Sequence, residues 1–215
     1  QINKMYSRTQ ISKSMQKIDL FPLEFFEFKT DSIDNNKLIE LCSKEPFNQH
    51  SALSSLENLH IKPEYDFFFN WVQECLEELR IQRKYDCEGI SFTSSWCNKY
   101  HANSGEMHMP HKHSMSWYSG IYYITDGAPT MFDDPMTQRT SAQIEVGRRD
   151  FYPLFPVEAE QGKLILFPGY VPHSTMSHRG LDDRWTIAFN TFPSGKINYN
   201  LGRDSIAILD VRTEN

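Results

Sequence analysis

Basic residues are in deficit: 22 lysines and arginines face 28 acidic residues, for a formal charge of −6. Binding to nucleic acid or an anionic membrane needs a clustered basic surface, so neither partner is expected. Cysteine is scarce as well. Cys42, Cys75, Cys87 and Cys97 lie 33, 12 and 10 residues apart, without a CxxC pair. That spacing suits free thiols in a reducing cytoplasm. No apolar run reaches membrane-spanning length, and no signal-peptide pattern, internal repeat or low-complexity tract interrupts the chain. What remains, 215 residues of which 39% are hydrophobic, is enough for one well-buried domain.

The two ends of that domain differ in kind. Residues 1–17 are polar and aperiodic and read as an arm. Residues 18–85 read as a strand and helices. "FPLEFFEFKT" (21–30) is aromatic and strand-like, suited to an edge and to edge-to-edge pairing in a homodimer. "DNNKLIELCSKE" (34–45) offers Asp34 or Asn35 as N-cap of a short helix, and 48–59 reads as a loop. The long helix predicted over 62–85 starts at Pro63 and sets Phe67, Trp71, Cys75 and Leu79 four apart on one face. From 86 to 200 the chain turns to short β-prone runs at 90–100, 117–125, 129–133, 162–168 and 184–192, with 201–215 as a C-terminal segment. Helices first and strands after predict an α+β, mainly β fold: a sandwich or jelly roll with N-terminal helices packed on one sheet. Residues 136–156 are too polar for a core element and read as a lid or substrate loop.

Three of the eight histidines fall in "HMPHKH" (108–113). On a strand His111 and His113 would share a face, where two imidazoles can hold one metal. Any single histidine is better read as a hydrogen-bonded or surface residue; a pair two apart, with His101 and His108 upstream, is harder to dismiss. His173, beyond "GKLILFPGYVP", is the natural third ligand of a reactive centre with open positions. Arg184 and Thr186 lie two apart on one strand face and could receive a carboxylate together. For Arg184 alone an ion pair with Asp182 or Asp183 is an equal expectation.

These pieces occur in a recognisable order: His111 and His113, "SGIYY" (119–123), "GKLILFP" (162–168), His173, "RWT" (184–186) and "FN" (189–190). Over about 95 residues the chain resembles the 2-oxoglutarate and Fe(II)-dependent oxygenases, in the branch with a His-x-His motif; "SSWCNKY" (94–100) resembles the strand before it. The resemblance implies a cupin-like double-stranded β-helix that uses Fe(II), 2-oxoglutarate and O2. It implies Arg184 and Thr186 on the distal carboxylate of 2-oxoglutarate, and decarboxylation to succinate and CO2 coupled to hydroxylation of a small molecule or a peptidyl residue such as proline. Asn98, Tyr100, Tyr123 and Asn190 are expected around the cosubstrate, with Tyr122 competing with Tyr123 for the inward position.

The superfamily's common ligand set is two histidines and one carboxylate, but His113 stands where the Asp would. Three outcomes follow: a three-histidine centre at His111, His113 and His173, which is favoured; a carboxylate from Asp133 or Asp134; or metal binding without oxygenase activity. A zinc hydrolase, a thiol dioxygenase or a non-catalytic jelly-roll module are the competing functions. Trp117 is expected in the core rather than as a substrate platform. Lys112, Arg148 and Arg149 are expected as a solvated cluster rather than readers of an acidic substrate.

Overall fold

A computed structural model describes residues 22–48, 53–56, 58–136, 154–200 and 205–208. The N-terminal arm and most of the lid segment expected over 136–156 lie outside the described residues. Two antiparallel sheets face each other. The larger has the order β1-β9-β6-β11-β4-β3-β2, with β12 on β11, and the smaller runs β5-β10-β7-β8. Their strands are β1 (Phe26–Lys29), β2 (Phe47–Asn48), β3 (Leu53–Ser55), β4 (Cys87–Tyr100), β5 (His108–His111), β6 (Tyr118–Tyr123), β7 (Gly127–Asp133), β8 (Leu154–Ala159), β9 (Lys163–Pro168), β10 (His173–Thr175), β11 (Arg184–Ile197) and β12 (Ile206–Ile208). This is the expected jelly roll. β1 stands at a sheet edge, as its short aromatic run suggested.

The helices cover the outer face of the large sheet. Helix α1 (Asn35–Cys42) begins at the predicted cap, where the Asp34 carboxylate accepts from the Lys37 amide at 3.0 Å. Pro63 opens a short 3-10 turn that leads into α2 (Asp66–Gln82). The buried face of α2 is Phe68, Phe69, Val72, Cys75, Leu76 and Leu79, while Phe67 and Trp71 are only partly buried. A strict four-residue spacing drifts off a 3.6-residue turn, so the predicted stripe was one step off at its N-terminal end. Phe68 packs on Tyr122 with ring centroids 4.9 Å apart. Each fully buried Leu or Phe on this face contributes about 1.5–3 kcal/mol. The loop expected over 48–59 contains β3, which extends the large sheet beyond β4.

Strand alternation then divides the large sheet. Along β11, Trp185, Ile187 and Phe189 join the helix-covered core, and Arg184, Thr186, Ala188 and Asn190 point the other way, between the sheets. The inter-sheet layer is closed at one end by Tyr123, Phe132, Val157, Ile165 and Phe167. On the helix-covered face Gly120 leaves room for its cross-strand partner, since a Cβ there would lie 2.1 Å from the Phe189 ring.

Candidate metal and anion site

Pairing across β4, β11 and β6 arranges the inward residues in rows. Arg184 is level with Tyr100; Thr186 with Asn98 and Tyr123; Ala188 with Trp96 and Ile121; Asn190 with Ser94 and Ser119. Each row is about 6.7 Å from the next, two residues along a strand. The smaller sheet faces them with β5, β10 and β7, and a pocket opens between, lined by rows one to three and by four histidines.

Three of those histidines converge. One nitrogen from each of His111, His113 and His173 lies within 4.8 Å of the others. β10 pairs with β5 so that His173 sits opposite His111. His113 arrives differently from its expected place: β5 ends at His111, and His113 is set in the following loop by its amide, which donates to the Gly169 carbonyl at 3.0 Å. The two rings therefore meet through a turn, not through strand alternation. His111 and His173 donate from Nδ1 to the Met109 and Val171 carbonyls, at 2.8 and 3.1 Å. That fixes the tautomer and leaves Nε2 bare, the arrangement a metal-binding imidazole requires. The Nε2 atoms of His113 and His173 are 3.3 Å apart, near the roughly 3.1 Å between adjacent ligands each about 2.1–2.2 Å from one ion. Burial, reinforced by the His111 ring, pushes His113 down to about 4. Burial pushes His173 down to about 3. Both are neutral donors at pH 7. His173 is buried and His111 exposed, so the cluster opens on one side.

Neither Asp133 nor Asp134 joins the cluster. Among the described residues the three imidazoles are the only such group. β7 turns Thr130 and Phe132 toward the interior, and alternation sends Asp133 outward.

At the opposite end lies Arg184, 1% exposed. Its Nε donates to the Ala128 carbonyl at 2.9 Å, and its guanidinium lies over the rings of Tyr100 and Tyr123, at 4.7 and 5.6 Å. Lys99, not Arg184, takes the carboxylate of Asp183, at 2.9 Å. Among the described residues no carboxylate pairs with Arg184. Burial of an unpaired cation is costly and pulls its pKa down, a cost that an anionic ligand would offset. Thr186 is buried beside it, accepting from Asn98 Nδ2 at 3.3 Å. The Tyr100 hydroxyl bridges Thr175 Oγ1, at 3.1 Å, and His108 Nδ1. Tyr123 is the inward tyrosine, donating to Thr130 Oγ1 at 2.8 Å; Tyr122 reaches out to Asn35 under the helices.

Asn98, Tyr100, Arg184 and Thr186 thus line one pocket with the three histidines. Asn190 does not; it lies one row beyond, bonded to Ser119 and Ser94. Trp117 packs on Tyr85 at 4.6 Å in the outer core, and His101 pairs with Glu106 on a loop. Lys112 is exposed, whereas Arg148 and Arg149 lie outside the described residues. Trp96, Thr130 and Thr175 also line the pocket. Trp96 was open to detection, sharing the parity of Asn98 and Tyr100, but nothing in the sequence marks the two threonines.

Residues 94–190 match a family model described as "Putative 2OG-Fe(II) oxygenase". A search of curated proteins finds no match. Among solved structures, HygX from Streptomyces hygroscopicus, crystallised with nickel and 2-oxoglutarate, is similar at 11% identity and a TM-score of 0.52, covering 80% of this chain and 83% of that one. A Pseudomonas putida prolyl-4-hydroxylase is similar at 12% identity and 0.55, over 80% and 94%. SnoN, the non-heme alpha-ketoglutarate-dependent epimerase of nogalamycin biosynthesis, is similar at 8% identity and 0.61, over 90% and 93%. At such identities the likeness is one of fold, the double-stranded β-helix. The family match covers the segment that carries all three histidines and Arg184, so the resemblance lies in the part of the chain that builds the site.

Proposed function

We propose that this protein is an Fe(II)- and 2-oxoglutarate-dependent dioxygenase that hydroxylates a small molecule or a peptidyl residue such as proline, releasing succinate and CO2. Bound at the histidines, iron with 2-oxoglutarate and O2 supplies the oxidising chemistry: the keto acid is decarboxylated, one oxygen atom enters succinate and the other a substrate C–H bond. The protein's own residues do the rest. His111, His113 and His173 supply three imidazole nitrogens, the first and last oriented by the Met109 and Val171 carbonyls. Arg184 and Thr186 receive the distal carboxylate, the guanidinium kept flat between Tyr100 and Tyr123 so that it can offer a two-pronged contact. Asn98 orients the Thr186 hydroxyl. Trp96, Ile121 and Ala188 wall the level of the histidines and keep water out.

The buried, acid-free Arg184 carries this reading. A three-histidine centre that ignored 2-oxoglutarate would leave that cation without purpose. The name of the Pseudomonas neighbour favours hydroxylation, and that of SnoN marks epimerisation as the other outcome this fold supports. Anaerobic titration of the Fe(II)-loaded protein with 2-oxoglutarate is the test. A weak visible band from the chelated keto acid is expected in wild type, with at least about tenfold weaker binding in Arg184→Ala, the loss of a charged hydrogen-bond pair. No band despite bound iron would remove 2-oxoglutarate from the account and favour a hydrolase, a thiol dioxygenase or a binding module.

A further inference from the structure

Beyond the metal level, the inward rows change character. The third row is Trp96, Ala188 and Ile121, and Trp96 lies against His113 with ring centroids 5.5 Å apart. The metal site therefore stands at row three, with Arg184 two rows to one side. On the other side is row four, Ser94, Asn190 and Ser119. Asn190 is about 20 Å along β11 from Arg184, too far to share a five-carbon cosubstrate with it.

Row four is a linked polar group. Ser119 donates to Asn190 Oδ1 at 2.8 Å and exchanges a hydrogen bond with Ser116 at 3.0 Å; Asn190 Nδ2 donates to Ser94 Oγ at 3.0 Å. Two donors are left over: the Ser94 hydroxyl proton and the second Asn190 amide proton have no acceptor among the described residues. Both residues are half-buried and share the inward parity of the pocket-lining rows, one row beyond Trp96 and Ala188. The β4–β11 register also slips here, between Asn190 and Thr191, because Thr93 bulges out of β4. Bulges re-aim side chains and collect beside active sites. No charged residue stands in rows three or four.

We propose that row four is the primary-substrate subsite, with Asn190 and Ser94 as specificity-determining donors, and that it takes a neutral group bearing an oxygen acceptor next to the reacting carbon. An amide carbonyl and a sugar hydroxyl share that chemistry; among the described residues a carboxylate finds no cation there. Trp96 supplies the flat apolar wall on which such a group rests. This inference rests on the oxygenase reading, because it takes Arg184 as the cosubstrate end.

The test is proton relaxation of small probes by Mn(II) substituted for iron in the 2-oxoglutarate-loaded protein. Three probes serve: N-acetylglycine N-methylamide, methyl β-D-glucopyranoside, and N-acetylglycinate, the charged counterpart of the first. At least one neutral probe is expected to be relaxed more strongly than N-acetylglycinate, and which one responds separates a peptide-type from a sugar-type substrate. Binding of that probe should weaken about threefold to tenfold in both Asn190→Asp and Ser94→Ala, the effect of one lost donor. The 2-oxoglutarate protons should stay fully relaxed in both variants, which also reports an intact fold. Neutral probes left unrelaxed, an equal response from N-acetylglycinate, or unchanged binding in the variants would each overturn the proposal. So would loss of 2-oxoglutarate in Asn190→Asp, which would return Asn190 to the cosubstrate. If Mn(II) fails to relax 2-oxoglutarate in the wild type, the oxygenase reading itself is wrong.

Discussion

Gly127 has no side chain, and Arg184 occupies the space. A Cβ on Gly127 would lie 2.9, 3.0 and 3.2 Å from Cδ, Cγ and Cβ of Arg184. Neither neighbour can give: Gly127 sits in the β7–β8 pairing, and the Arg184 Nε is tied to the Ala128 carbonyl. Gly127→Ala should therefore swing the guanidinium off its two tyrosines. We expect 2-oxoglutarate affinity to fall about tenfold, roughly 1.4 kcal/mol, by calorimetry on the Mn(II)-loaded protein; unchanged affinity would mean that Arg184 tolerates the shift or binds elsewhere. Single residues of this site were legible to different degrees. His111, His173, Arg184 and Thr186 stand in a motif whose spacing is chemical. Gly127 is invisible in sequence because its role is an empty volume, defined only by a side chain 57 positions away.

Strand β1 joins the large sheet by pairing with β9, and its far end is pinned by charge. Glu160, in the turn before β9, accepts from Lys29 of β1 and from Lys163, the latter at 2.9 Å. The Lys29 ammonium, followed by that of Lys163, pulls the Glu160 carboxyl down to about 2. A carboxyl whose folded pKa is depressed stabilises the fold above its unfolded value near 4.5; this contribution is lost as pH falls from there toward 2. The group is solvent-exposed, so the effect is small. Urea unfolding of Glu160→Gln should show a deficit against wild type at pH 6 that has shrunk by pH 2.5. A constant deficit would assign the loss to packing. Elements in general followed local signals: the α1 cap and the Pro63 start are where the sequence puts them. Their burial followed tertiary demands instead. The face of α2 was set by the Tyr122 side of the sheet, and past the end of β5 at His111 the His113 amide bonds to the Gly169 carbonyl instead of a strand partner.

On the scale of the whole molecule, the pocket joins two sheets, so an ion held by His111 and His113 before β6 and by His173 after β9 ties together segments 60 residues apart. A ligand that binds only the folded state stabilises it by mass action, by about 2.7 kcal/mol at a hundred times its dissociation constant. For a chain of this size that amounts to roughly 5–10 °C. Thermal unfolding should rise by this amount on adding Mn(II), fall back with chelator, and become indifferent to metal in His173→Ala. A melting point unmoved by metal in the wild type would reject the centre. Among the described residues no helix is long and apolar enough to cross a membrane, and all four cysteines are buried free thiols, consistent with the composition. By itself the sequence determined the class of fold, the order of its main elements and the residue types that converge at its site, because hydrophobic period, turn residues and ligand types are local and carry their meaning in one dimension. Only the tertiary structure decided that His113 rather than Asp133 meets the other imidazoles, that Tyr123 rather than Tyr122 faces Arg184, and that Asn190 lies one row beyond the pocket. Each of those depends on strand register and on which face of a strand is turned inward, and a shift of one residue reverses both.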